Sequence, residues 1–213
     1  MRHSLKAVII DYGSGNLHSA KKAFVKAMSN IGANGSVLVS NNPADLDTAT
    51  HIILPGVGAF GDCIAGLKAV KGMVEKLEEQ VLKNKKPFLG ICVGMQMLAK
   101  KGFEDGEFAG LGWIDGEVIK IENKKDLRIP QMGWNNLKIK KKSKLLNGVQ
   151  DNTDVYFVHS YYMRTAEYNI TATVDYGSDI TAIVENENIY GVQFHPEKSQ
   201  QNGLKIIGNF LLI

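Results

Sequence analysis

The chain has 213 residues, of which 44% are hydrophobic and 22% charged, with a formal net charge of +3. That length suits one hydrophobic core with at most a small insertion, so a single domain over residues 1–213 is expected. So balanced a charge gives no compositional case for nucleic-acid or membrane binding, and no run reaches the roughly 20 apolar residues of a membrane helix. The first residues lead into a strand-like run without a signal-peptide pattern, which makes the cytoplasm the expected compartment. Two cysteines, Cys63 and Cys92, are too few for a disulfide framework and would stay free in a reducing compartment.

Residues 7–10 form a buried-strand run and residues 11–15 a turn. Residues 16–28 read as a helix, because Leu17, Ala20, Phe24 and Met28 recur on one face. Residues 36–39, 51–54 and 87–91 are further strand candidates, and 61–84 carries one or two helices between the last two. Strands alternating with helices predict an open, mostly parallel sheet flanked by helices, an α/β fold. The second half is richer in strands and more antiparallel, with candidates at 114–121, 136–139, 155–159, 170–175, 182–185 and 189–194. Residues 199–212 close the chain as an amphipathic helix. The lysine runs at 83–86 and 138–144 read as solvated faces.

Three segments carry chemistry. Residues 90–94 read Gly-Ile-Cys-Val-Gly at the end of an apolar strand, the thiol form of a nucleophile elbow. A sharp strand-to-helix turn strains the nucleophile's backbone, and flanking glycines avoid clashes. The expected helix N-terminus at Gly94 would favour thiolate, and the Val93 amide would face a developing oxyanion. On spacing alone, a buried structural cysteine at Cys92 is equally good. Cys63 lacks such a setting and reads as an ordinary helix residue.

Residues 191–197 read Gly-Val-Gln-Phe-His-Pro-Glu. A strand delivers His195, Pro196 ends the ladder, and Glu197 follows on the same turn. An imidazole oriented by a carboxylate is the base a thiol nucleophile needs. A lone strand-end histidine is usually a surface residue, but its coincidence with a cysteine elbow favours catalysis. His159 also ends a strand and reads as a residue either supporting the site from behind or on the substrate side. Residues 52–60 then offer Pro-Gly-Val-Gly after a buried strand, a side-chain-poor loop whose amides can face an anion. A plain tight turn would look similar.

With these segments, the sequence resembles the class I (triad-type) glutamine amidotransferases, and among them the glutaminase subunits of imidazole glycerol phosphate synthase. The likeness runs over nearly the whole chain. It is carried by Asp11-Tyr-Gly-Ser-Gly-Asn-Leu17, Pro55-Gly-Val-Gly-Ala-Phe60, the elbow, Met132-Gly-Trp-Asn135 and the segment from Gly191 to Ser199. The resemblance implies that Cys92 forms a glutamyl thioester, with His195 as base and Glu197 as orienter. Gly58, Gln96, His159, Ser160 and Tyr161 would hold L-glutamine, and Val57 and Val93 would supply oxyanion amides, Val57 after a peptide reorientation. Asn16, Trp134, Tyr156 and Lys198 would face a (β/α)₈ cyclase subunit that receives the ammonia, and no metal or organic cofactor is implied. The family usually has histidine where this chain has Gln131, a position expected on the partner side. A glutaminase serving a different synthase, or a non-catalytic module of the same fold, are the alternatives. The second would be favoured by a missing triad member, and all three are present.

Overall fold

The computed structural model describes residues 4–122 and 127–213. The first half runs β1 (Leu5–Ile10), α1 (Leu17–Asn30), β2 (Gly35–Ser40), β3 (His51–Gly56), α2 (Phe60–Ala69), α3 (Met73–Leu77), β4 (Phe88–Cys92) and α4 (Val93–Gln96). Short strands β5 (Ala99–Gly102) and β6 (Phe108–Ala109) precede β7 (Ile114–Lys120), β8 (Gln131–Ile139), β9 (Asp154–His159) and β10 (Tyr161–Thr165). The chain ends in β11 (Ile170–Asp175), β12 (Asp179–Asn186), β13 (Ile189–Val192) and α5 (Gln200–Leu211).

Nine strands form the main sheet in the order β2-β1-β3-β4-β13-β12-β11-β8-β9, and β10-β7-β5-β6 form a second sheet. From β2 to β13 the pairing is parallel, and from β13 to β9 it is antiparallel. Burial follows this division. Both β3 and β4 are buried along their whole length, as strands covered on both faces must be, whereas β9 alternates between buried and half-exposed residues. The α/β class and the antiparallel second half are thus as the sequence predicts.

α1 starts where Asn16 caps it, the side-chain carbonyl accepting from the Ser19 amide at 3.3 Å. Its buried residues, Ala20, Ala23, Phe24, Ala27 and Met28, recur every three to four positions. This stripe packs on α5, where Phe24 meets Phe210 edge-to-face at 6.4 Å. The α5 helix starts close to the end of β13 because Gly203 has no side chain: a Cβ there would lie 1.9 Å from the Pro196 carbonyl oxygen.

Three strands of the structure, β5, β6 and β10, have no counterpart among the sequence expectations, and β8 starts five residues earlier than expected. Lys100 and Lys101 interrupt any apolar period in β5, which is a strand because β7 runs beside it in parallel. The lysine run at 138–144 is partly ion-paired, with Lys138 and Lys140 reaching Asp179.

His51 opens β3, is 4% exposed and stacks edge-on against Phe210 at 5.2 Å. Burial lowers its pKa from 6.5 to about 4, against a smaller raising effect of a Phe210 backbone bond. The unfolded chain therefore binds the extra proton first, and stability rises with pH through that window. In His51→Leu the slope of unfolding free energy against pH should fall by about one proton between those values, as read from urea titrations at stepped pH.

Candidate active site

Strand β4 delivers Cys92 in a left-handed conformation, φ 55° and ψ −114°, a strained geometry for a residue with a side chain. Parallel pairing holds it there, since β3 and β4 run in register to Gly56 opposite Cys92. The two glycines of the motif make room. A Cβ on Gly90 would sit 2.6 Å from the Gly94 carbonyl oxygen, and one on Gly94 would lie 1.8 Å from that of Leu54. One expectation is corrected. Helix α4 is a single turn, Val93–Gln96, and the chain returns to a strand at Ala99. The dipole of so short a helix is small.

His195 follows β13, and its ring Nδ1 lies 2.8 Å from Glu197 Oε1, with both side chains almost wholly buried. Burial alone would lower the imidazole's pKa. Hydrogen bonding and charge from Cys92 and Glu197 outweigh it, and the value is raised from 6.5 to about 10. Nε2 faces Cys92 only loosely, without a hydrogen bond of good geometry. The turn is braced on β9. His195 N donates to the Tyr156 carbonyl at 2.9 Å. Ser199 Oγ accepts from Tyr156 N at 2.9 Å and donates to the His195 carbonyl at 2.7 Å.

Cys92 and His195 border a pocket of about 180 Å³ that includes Val57, Gly58, Val93 and Gln96 on one side and His159, Ser160 and Tyr161 on the other. All the residues expected to touch the substrate or its oxyanion therefore converge here. Gln96 spends both amide protons on the protein, donating to the Tyr161 carbonyl at 2.9 Å and to Gln193 Oε1 at 3.1 Å. Two residues were missed by the sequence reading. Glu104 lines the same pocket, its carboxylate accepting from the Phe60 amide at 2.7 Å. Burial raises its pKa, opposed by that bond. Gln193, fully buried, donates through Nε2 to Cys92 Sγ at 3.8 Å; its place two residues before His195 was its signal. A larger groove of about 750 Å³ beside Lys141, Lys144 and Ile213 is lined by neither cysteine nor histidine.

The Val57 backbone is already engaged. Val57 N donates to Ser14 Oγ at 3.1 Å, and Ser14 Oγ donates back to the Val57 carbonyl at 2.6 Å. Cys63 is more than an ordinary helix residue, because its thiol also reaches that carbonyl at 3.4 Å. Val93 opens α4, so its amide has no acceptor within the helix.

Trp134, Tyr156 and Lys198 cluster on the surface. Trp134, 47% exposed, meets Tyr156 edge-on at 5.9 Å, and Lys198 Nζ lies 5.9 Å from the Tyr156 ring centroid. Asn16 stands apart, beside a void of about 10 Å³ bordered by Val57, His195 and Glu197. Gln131 is not on the surface: it is 2% exposed and its side chain contacts His159 at 2.9 Å. It pairs with His159 across β8 and β9, so the strand alternation turns it inward. Among the described residues, no helix is long and apolar enough to cross a membrane.

A parallel sheet presenting a strained cysteine to a carboxylate-oriented histidine is the arrangement of a glutamine amidotransferase, and the comparisons agree. The chain belongs to the class-I glutamine amidotransferase family, whose profile matches residues 8–213. Within it the chain is similar to imidazole glycerol phosphate synthase subunit HisH of Cereibacter sphaeroides, 48% identical over 96% of this chain and 97% of that one. The same subunit of Rhodospirillum rubrum is 48% identical, with 97% and 98% covered. HisH 1 of Campylobacter jejuni strain RM1221 is 46% identical, with 95% and 98% covered. Among solved structures, a putative GMP synthase subunit from Thermoplasma acidophilum shares the fold, with a TM-score of 0.69, 19% identity and 99% and 94% coverage.

Gly94→Ala should cost more than about 3 kcal/mol of stability, because the clash is with backbone, and a denaturant titration measures it. Glu197→Gln should return the His195 pKa toward 6.5 and slow Cys92 alkylation by iodoacetamide at neutral pH by about tenfold. The raised His195 pKa stabilises the fold fully below 6.5 and not above about 10. The stability gap between wild type and this variant should therefore close as pH climbs through that window.

Proposed function

We propose that this chain is the glutaminase subunit of an imidazole glycerol phosphate synthase, hydrolysing glutamine and delivering ammonia to a (β/α)₈ cyclase subunit in histidine biosynthesis. The observation that carries the reading is the buried His195–Glu197 pair beside a strained Cys92 at an amino-acid-sized pocket. His195 takes the thiol proton, and the Cys92 thiolate attacks the carboxamide carbon of glutamine. The tetrahedral oxyanion is met by the Val93 amide. Collapse breaks the C–N bond as the His195 imidazolium protonates the leaving nitrogen, giving ammonia and a thioester. His195 then takes a proton from water, the hydroxide attacks the thioester, and glutamate leaves as Cys92 regains its proton. Gln96 Oε1 and the Glu104 carboxylate would receive the substrate's α-ammonium group, since Glu104 is the acidic side chain at this pocket.

A second oxyanion donor would be Val57, once its amide leaves Ser14. That requirement supports activation by a docked partner, with low activity in the isolated chain. The exposed Met132 and Trp134, with Tyr156 and Lys198, form an apolar patch with a charged rim of the kind partners bury. The void between the triad and Asn16 is about the size of one water molecule, and it would let ammonia leave on the side away from glutamine.

Glutamate release is measured with the chain alone and with a cyclase subunit plus its nucleotide ligand, with Cys92→Ala as control. We expect a low rate alone, a rise of about 10²-fold or more in the full mixture, the range recovered by restoring one oxyanion donor, and none in the variant. Cys92-dependent hydrolysis that ignores the cyclase would assign the chain to another synthase.

A further inference from the structure

We propose that Gln131 is a positioning residue for the glutaminase reaction: its buried amide donates to His159 Nε2, fixing His159 as the neutral Nδ1–H tautomer beside His195. The role rests on the glutaminase reading, but the state of the His159 ring can be tested without it.

His159 Nδ1 lies 2.8 Å from the Tyr161 carbonyl oxygen. A carbonyl only accepts, so Nδ1 carries a proton. The opposite nitrogen, Nε2, lies 2.9 Å from Gln131 Oε1. With the amide oxygen towards the ring, Nε2 would also need a proton, and His159 would be an imidazolium. That arrangement buries a cation in a site that already holds the His195 proton, and leaves the Gln131 NH₂ group with no acceptor. Turning the amide by half a turn keeps its shape and places an N–H on Nε2. The unmet position then moves from a two-proton donor to a carbonyl, the lesser cost in a buried site. Burial favours the same answer, lowering the His159 pKa to about 4 despite the Tyr161 bond, and the charge of His195 lowers it further.

The groups around the ring are Gln131 from β8, His195 after β13, and Cys92 and Glu104, which line the same pocket. None of the carboxylates bonds His159. Donation then runs in a consistent sense through the site. Gln131 donates to His159, and His159 and Gln96 both donate to the Tyr161 carbonyl. Gln96 also donates to Gln193, whose Nε2 reaches the Cys92 sulfur. An oxygen at the Gln131 end would reverse the first link and place a second positive charge where His195 must hold and release its own proton.

The test is ¹⁵N NMR of the histidine rings in the full chain at neutral pH, with glutaminase kinetics in parallel. Wild type should show His159 with Nδ1 protonated and Nε2 bare. Gln131→Glu, which can only accept when ionised, should protonate both nitrogens and lower kcat/KM by about tenfold, the scale of one lost hydrogen bond. Gln131→His, which can donate, should leave Nε2 bare and covers the case in which the glutamate variant does not fold. A doubly protonated His159 in wild type, or a folded Gln131→Glu with unchanged ring shifts, overturns the proposal. Absence of glutamine hydrolysis in wild type would instead overturn the functional reading, with the ring shifts still deciding this one.

Discussion

The structure depends on holding one cysteine in a backbone conformation it would not choose. Left-handed φ at Cys92 is tolerable because the sheet fixes both sides of the turn: β3 pairs with β4 up to the nucleophile, and β13 pairs with β4 on the other flank. The same two pairings set the neighbourhood. β3 runs directly into the Val57 loop, and β13 runs into the His195 turn. Cys92, the Val57 loop and His195 therefore lie at the ends of three adjacent parallel strands, which is where open α/β sheets gather their ligand sites. The glycines at 90 and 94 are consequences of that packing, since each faces backbone at less than contact distance.

Electrostatics complete what geometry begins. Two buried histidines at the site are driven in opposite directions. His195, tied to Glu197 and near Cys92, holds its proton to about 10, while His159, bonded to a carbonyl, stays neutral down to about 4. One imidazole thereby keeps its proton and the other stays neutral, although both are almost fully excluded from water. Burial lowers both, but at His195 it is outweighed by Cys92 and Glu197, whereas at His159 only a carbonyl opposes it.

Much of this was legible in the sequence because the informative signals are local. Buried parallel strands read as apolar runs, and the elbow and the base with its orienter each lie within a few consecutive residues. What escaped was non-local. β5, with two lysines in four residues, becomes a strand only through β7. Glu104 reaches the pocket by folding over the start of α2, and nothing near it in sequence signals a binding role. Gln131 was misplaced because its neighbours Met132 and Trp134 are surface residues, and one step along a strand reverses the face. The expected elbow helix forms but stops after one turn, because the segment after Gln96 is captured by strand pairing before a second turn can form.

The brace between β9 and the triad turn has a further meaning. Residues 154–159 form the last strand of the main sheet, and such border strands normally drift freely because only one side is constrained. Here the outer side is bonded to the backbone of the base through Tyr156 and Ser199, while the Tyr156 ring belongs to the surface patch with Trp134 and Lys198. A single strand thus carries two constraints, its backbone tied to the His195 turn and its side chains to the surface patch. The patch can change its side chains while the strand's path is spared, so this border can be redecorated without moving the turn it braces.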